Sequence, residues 1–332
     1  MKKKWHLPFL LFLIIGTVIV WRQNHPAPAP YQEEEGGIFG TVYHVKYQSD
    51  STLTKEIAAT LKAVDMSLSM FNEASTLAQI NANRSTQTDS LLRIVFLQSQ
   101  QISRATDGAF DITVGPLVNA WGFGFKNGAL PDSAQVDSLR RLVGWEQVSI
   151  DDGGRLHKAD ERMVMDCSAV AKGFGVDCVA GMLREHGVRN FMIEIGGEIV
   201  VSGVNAKGEP WSIGISVPSE TDSNRTQDVM HITDAALATS GNYRNYYVTD
   251  AGRKLAHPID PRTGYPVQHS VLSATVVAPT CAMADAFATS FMVLGIDGAK
   301  QVLEKHQELK AYLIYTGEDG RMAVWTSPNW EK

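Results

Sequence analysis

A histidine, two aspartates and a threonine cluster between Leu255 and Thr289. His257-Pro-Ile-Asp260-Pro-Arg262-Thr263-Gly264 reads as a loop stiffened by proline and glycine; a β-rich run follows, then Asp285-Ala-Phe-Ala-Thr289. Asp285 and Thr289 stand four apart on an expected helix, which puts two oxygen donors on one face. Oxygen donors suit a hard cation such as Mg²⁺. The stretch points to metal-assisted chemistry on a phosphate-containing substrate. His257, held extended by Pro258, can act as a general base near neutral pH. Each residue has an ordinary alternative: a hydrogen-bonded loop histidine, a surface carboxylate, a threonine bonding back to the carbonyl four residues earlier.

Three further segments carry the same kind of ambiguity. Asp166-Cys-Ser-Ala-Val-Ala-Lys172-Gly-Phe-Gly-Val-Asp177 passes from an expected strand into a helix, where free N–H groups favour anions. Its glycines match neither a Walker A loop nor a dinucleotide fingerprint, and close helix packing explains them equally well. Gly196-Gly197 joins two apolar strands, either to let a flat ligand approach the backbone or simply as a hairpin turn. Asp107-Gly-Ala-Phe110-Asp111-Ile-Thr-Val-Gly115-Pro116 is either a binding loop or a helix-to-strand turn. No Gly-x-Ser-x-Gly elbow and no His-Glu-x-x-His helix occurs.

The elements that must position these residues follow from periodicity and punctuation. Alternation predicts strands at 41–48, 147–150, 163–166, 191–195, 199–202, 211–217, 229–232, 243–249, 271–278, 311–315 and 322–325. Helical spacing predicts helices at 53–66, 90–105, 133–143, 169–186, 282–294 and 298–306, with Gly187 closing one and Thr280 capping another. Strands and helices mix without regular βαβ alternation. The expected class is α+β, with mixed, largely antiparallel sheets and flanking helices.

The 332 residues are 44% hydrophobic and 20% charged, an ordinary globular composition. A net charge of −6 argues against a nucleic-acid-binding surface. Residues 1–22 read apart from the fold: Lys2, Lys3 and Lys4 precede an apolar run from Leu7 to Trp21, the pattern of a secretory signal or an uncleaved anchor. Read as an anchor in the cytoplasmic (inner) membrane, it leaves the lysines inside and exports the body to the periplasmic side. Residues 23–37, rich in Pro, Glu and Gly, are expected to form a tether, and 38–332 the folded domain. Cys167, Cys178 and Cys281 are too few for a disulfide framework and read as packing residues.

Taken together, the segments resemble the ApbE family, the FAD:protein FMN transferases. The resemblance runs from about Phe39 to Leu294. It rests on Phe39-Gly40-Thr41, Leu68-Ser-Met-Phe71-Asn, the 107–116 loop, Asp166-x-x-Ala169-x-Ala-Lys172-Gly, and Ile195-Gly-Gly197-Glu. Then come Ala238-Thr-Ser-Gly241-Asn-Tyr243-Arg, His257-x-Ile-Asp260-Pro-Arg-Thr-Gly264 and Ala284-Asp285-Ala-x-Ala-Thr289, all in the family's order.

The resemblance implies an ApbE-like, T-fold-related architecture. It implies Mg²⁺-dependent transfer of FMN from FAD to a threonine or serine of an exported flavoprotein, with release of AMP. Acceptor sites of this kind resemble Ser/Asp-Gly-Ala-Thr-Ser/Thr and occur in redox-pump subunits. Asp285, Thr289 and the Ala169 carbonyl would hold the metal, and His257 would take the proton of the acceptor hydroxyl. Phe39, Phe71, Ala109, Phe110, Asp111, Asp166, Lys172 and Ile259 fall where the family contacts FAD. The chain departs from the usual pattern at Phe39 (commonly methionine), Phe71 (commonly tyrosine), Asn242 (commonly aspartate) and Ala288, where some members carry a further acidic ligand. Hydrolysis of FAD to FMN and AMP, or FAD carriage without chemistry, would use the same cleft.

Overall fold

The computed structural model describes residues 6–24, 28–124, 130–218, 226–241, 246–248, 254–256 and 258–330. An apolar helix, α1 (His6–Asn24), opens the chain. Its 19 residues rise about 1.5 Å each, close to the ~30 Å of a bilayer's hydrocarbon core. Phe9, Leu11 and Phe12 on it are exposed.

β1 (Tyr31–Ile38) and β2 (Thr41–Gln48) form an antiparallel hairpin, in register from Tyr31 opposite Gln48 to Ile38 opposite Thr41. Phe39 and Gly40 make its turn with φ of 50° and 75°, the left-handed pair of a two-residue type I′ connection. The expected tether through residue 37 is therefore wrong from Tyr31 onward: this stretch is the edge strand of a sheet. Glu33 pairs with Lys46, the Tyr47 hydroxyl donates to Glu34 at 3.4 Å, and Tyr31 packs edge-on against Trp211. An acidic outer face on an edge strand reads, by composition alone, like solvated linker.

α2 (Thr54–Leu68), α3 (Thr76–Asn81), α4 (Ser90–Ala105), α5 (Gly115–Ala120) and α6 (Ser133–Arg140) follow. The periodic ones bury their apolar stripes: Ile57, Leu61, Val64 and Leu68 on α2, Leu92, Val95, Phe96 and Ile102 on α4. Asp132 and Gln135 close a capping box on α6. α3 and α5, six residues each, are too short to show a period.

β3 (Val148–Ile150) pairs with β4 (Leu156–Lys158). The strand expected at 163–166 does not form; Val164 makes one isolated bridge to Val114. Side chains satisfy this backbone instead. Asn81 exchanges two bonds of 2.8 Å with Met165, and Lys158 Nζ donates to the Met163 carbonyl.

The remaining elements are α7 (Ala171–Glu185), β5 (Phe191–Ile195), β6 (Glu198–Ser202), β7 (Trp211–Ser216), β8 (Thr226–Ile232) and β9 (Ala235–Gly241). They are followed by β10 (Tyr246–Val248), β11 (Lys254–Ala256), β12 (Val271–Ala278), α8 (Cys281–Lys305), β13 (Lys310–Thr316) and β14 (Met322–Thr326). The eight-stranded sheet has the order β1-β2-β5-β6-β9-β12-β13-β14, and its neighbouring pairs are antiparallel. This is the expected α+β class.

Alternation along the strands separates two layers. Val200, Ala238, Val276 and Leu313 face the helices, whereas Val201, Leu237, Val277 and Ile314 face the β7–β8 hairpin. α8 is the buried core helix. Gly295, with φ 70°, interrupts it between the two helices that the sequence predicts. Cys167, Cys178 and Cys281 are free thiols, as a packing role requires, and burial pushes the Cys178 thiol up to about 12.

Candidate functional site

A cavity of about 620 Å³ opens where the β5–β6 turn, β7, β9, the first turn of α7 and the Asp285–Val293 face of α8 converge. That volume lies within the ~300–1,000 Å³ usual for small-molecule sites. Ala109, Phe110, Asp111, Asp166, Ala169, Lys172, Ile259, Asp285 and Thr289 line it, as does Phe71. Segments spread from residue 71 to 289 thus meet in one cleft. Phe39 does not line it. The Phe39 ring packs over Gly175, where an added Cβ would sit 2.7 Å from it, and lies partly buried against the helix-layer core.

Two helix N-termini build the cleft floor. The N-cap position of α7, Val170, supplies no side-chain bond. The third N–H of the helix, that of Gly173, donates to Asp285 Oδ2 at 3.1 Å. In return, Asp177 on α7 accepts the N–H groups of Cys281 and Ala282 at 2.9 Å each. Thr280 accepts that of Met283. The orphan donors at the start of α8 and the third N–H of α7 are therefore met by oxygens, and a carboxylate at each positive helix end is favourable. Such an arrangement needs close approach: a Cβ on Gly173 would lie 2.3 Å from the Cys281 carbonyl oxygen.

Charge concentrates at Lys172. Its Nζ lies 3.4 Å from Asp285 Oδ2 and 3.4 Å from Glu198 Oε1. Burial alone would lower the lysine pKa, but the Asp285 and Glu198 charges outweigh it and the net shift is upward. Burial, opposed by Lys172 and aided by Asp285, lifts the Glu198 carboxyl well above the usual range. Asp285 is 1% exposed, so the surface-carboxylate alternative does not hold. The Thr289 hydroxyl meets Ser240 at 3.2 Å, while the neighbouring Ser290 is the one that bonds back along the helix.

Glu198 is the site residue that motif reading missed as a functional group. The sequence shows only its type, a carboxylate directly before the apolar run Ile199-Val-Val-Ser202, which does not alternate and so does not reveal the face.

Asp111 and Asp166 hold the loops that wall the cleft. Asp111 Oδ1 accepts from the Thr113 N–H and hydroxyl at 2.7 Å, and Oδ2 from the Trp145 N–H at 2.8 Å. Burial raises the Asp111 pKa, and these bonds oppose the rise. Asp166 Oδ1 accepts the Ser168 N–H at 2.8 Å. The 107–116 segment is thus a loop that lines the cavity and runs into α5, with no strand.

His257, Asn242, Tyr243 and Arg244 lie outside the described residues. After His257, the Asp260 carboxylate accepts from the Arg262 backbone N–H, Nε and Nη2 at 2.9 Å each. Trp121 Nε1 donates to the Gly264 carbonyl at 2.8 Å, and Pro258 and Ile259 line the cavity.

Among the described residues, no three His, Cys, Asp or Glu side chains gather at a single metal-binding point. The donors present still fit Mg²⁺, which keeps several waters and takes one or two carboxylates with substrate phosphates. The buried Glu198 Oε2, without a hydrogen-bond partner, shows that the site carries carboxylate capacity beyond what Lys172 satisfies.

The sequence profile of the ApbE family matches residues 39–313. The FAD:protein FMN transferase of Haemophilus influenzae is 39% identical over 303 residues, spanning 86% of each chain. That of Vibrio cholerae is 36% identical over 304 residues, 88% of this chain and 90% of its own. A solved structure, the flavin transferase ApbE from Vibrio cholerae, matches with a TM-score of 0.81 at 35% identity, over 91% of this chain and 98% of that one. The chain belongs to the ApbE family.

Proposed function

We propose that this protein is an FAD:protein FMN transferase, dependent on Mg²⁺ and acting on exported flavoproteins. The supporting observation is the pairing of a cleft of about 620 Å³ with Lys172 and Asp285 at the abutting starts of α7 and α8. Phe71, Val118, Ile213, Ile215 and Ile259 offer apolar wall for a flat ring system, and Lys172 a cation for the pyrophosphate. FAD combines these two chemistries.

Phosphoryl transfer asks the protein mainly for positioning and charge neutralisation. The acceptor's Thr or Ser oxygen attacks the FMN phosphorus, and the hydroxyl proton passes to the His257 imidazole. The bond from that phosphorus to the bridging oxygen breaks, and AMP leaves with the oxygen. Asp285, Thr289 and the Ala169 carbonyl would hold Mg²⁺, which when bound neutralises charge on the pyrophosphate. Lys172 orients the same group. Asp111 and Asp166 keep the cleft walls in place.

α1 serves in this reading as the membrane anchor, with the folded body on the periplasmic side and redox-pump subunits as acceptors. The test uses the full chain in detergent with FAD, Mg²⁺ and a protein bearing a Ser-Gly-Ala-Thr-Ser site. A fluorescent, covalently labelled acceptor band with equimolar AMP is expected. Free FMN and AMP without labelling would replace this reading by hydrolysis, and intact bound FAD beside a verified acceptor by carriage.

A further inference from the structure

Glu198 begins β6 directly after the Gly196-Gly197 turn, whose φ values are 63° and 108°. Ile195 and Glu198 are paired across that turn, so the Glu198 position is fixed by the hairpin. It shares the parity of Val200, which packs in the helix layer. Its side chain therefore points at the starts of α7 and α8, where Asp285 and Lys172 stand. Glu198 is 2% exposed. Oε1 meets Lys172, and Oε2 has no hydrogen-bond partner. A carboxylate buried in this state is costly unless a nearby cation offsets it.

The one ammonium of Lys172 serves both carboxylates, at the same 3.4 Å. A divalent cation at Asp285 would face that ammonium as a like charge a few ångströms away. Lys172 must then give up Asp285 while staying in the cleft, and Glu198 is the anion within reach.

We propose that Glu198 is a positioning residue that holds the Lys172 ammonium, so that Asp285 is released to a divalent cation and Lys172 stays aimed at the substrate's pyrophosphate. This rests on Asp285 as the cation ligand of the proposed transferase. Lys172 and the cation compete for one carboxylate, and Glu198 biases the competition toward the cation. It acts through Lys172, without touching the reacting atoms.

The test is binding of Mn²⁺ alone to the full chain in detergent, read from the EPR signal of the free ion, with folding checked by near-UV circular dichroism. Glu198→Gln is expected to weaken Mn²⁺ binding about tenfold, the scale of one charge-assisted hydrogen bond. Lys172→Met is expected to tighten it, and Glu198→Gln combined with Lys172→Met to bind Mn²⁺ as tightly as Lys172→Met alone. The single Lys172→Met variant decides the matter if Glu198→Gln does not fold. Wild-type affinity in Glu198→Gln, unchanged affinity in Lys172→Met, or failure of the double variant to match Lys172→Met would overturn the proposal; the last would make Glu198 a direct ligand. Asp285→Ala separates the two layers: if it binds Mn²⁺ as the wild type does, the metal reading itself fails and takes this one with it.

Discussion

The Asp285 carboxylate on α8 accepts the Gly173 N–H on α7 at 3.1 Å. One turn further along α7, Asp177 accepts the first two N–H groups of α8. Each helix caps the other, so the axial register between them is fixed at two points. The register sets the distance from Lys172 to Asp285, and hence the geometry of the charged centre. Capping here is a property of the pair, and neither helix carries it alone.

Gly173 is where this register is most exposed to a single change. A Cβ there would meet the Cys281 carbonyl oxygen at 2.3 Å and the Ala282 nitrogen at 2.9 Å. Both are backbone atoms and cannot rotate away. Gly173→Ala is expected to destabilise the fold by about 1–3 kcal/mol, the range for overpacking, and to lower transfer further by separating α7 from α8. Urea denaturation and acceptor labelling measure the two effects, and wild-type labelling in the variant would show that the register is not critical.

Asp177 links this contact to pH. Burial, resisted by the two helix N–H bonds, lifts its carboxyl to about 6. The folded state therefore binds a proton that the unfolded chain releases near 4. Its contribution to stability is present below pH 4 and is lost as pH rises to about 6, by about 3 kcal/mol for a two-unit shift. Asp177→Asn removes that titration. The difference in unfolding free energy between wild type and Asp177→Asn should move against the wild type as pH rises from 4 to 6.5. A constant difference would place the Asp177 pKa near its ordinary value.

Much of this was legible in the sequence, and the failures have physical causes. Periodicity located α2, α4 and α7 because their buried stripes are long enough to show a 3.6-residue repeat. It missed β9, Ala-Ala-Leu-Ala-Thr-Ser-Gly, because small residues under α8 carry little β signal. β1 hid behind three consecutive glutamates, since an edge strand can be charged on its open side. At the site, the motifs named ten residues that the fold brings to one cavity. They placed Phe39 there too, because order along a chain does not reveal which way a turn directs a ring. Glu198 required the parity of β6, which only the packed sheet settles.

Phe71 provides a test of substrate binding separate from folding. It lines the cleft and is 59% exposed, so its removal takes little from the core. Loss of ring stacking is worth about 0.5–1.5 kcal/mol. Phe71→Ala is expected to raise KM for FAD by about 2–10-fold, with kcat and thermal stability nearly unchanged. A fall in kcat at constant KM would mean that Phe71 contacts the acceptor protein instead of the flavin.

His257 and Asp285 should fail in different ways. Asp285 belongs to the charged centre, where its loss leaves Lys172 with Glu198 alone, unpairs the Gly173 N–H and removes the carboxylate for Mg²⁺. Asp285→Ala is expected to abolish labelling of the acceptor. His257 directly precedes Pro258 and Ile259, which line the cleft in a segment fastened by Asp260 and by Trp121. That fastening does not depend on the imidazole, so His257→Ala should keep the loop and the affinity for FAD. Loss of a general base then slows transfer by ~10²–10⁴-fold. The decisive measurement is single-turnover labelling across pH with FAD saturating. The wild-type rate should rise through the histidine range and level off, and the His257→Ala rate should lack that limb. If the limb persists in the variant, the proton goes elsewhere and His257 is not the base.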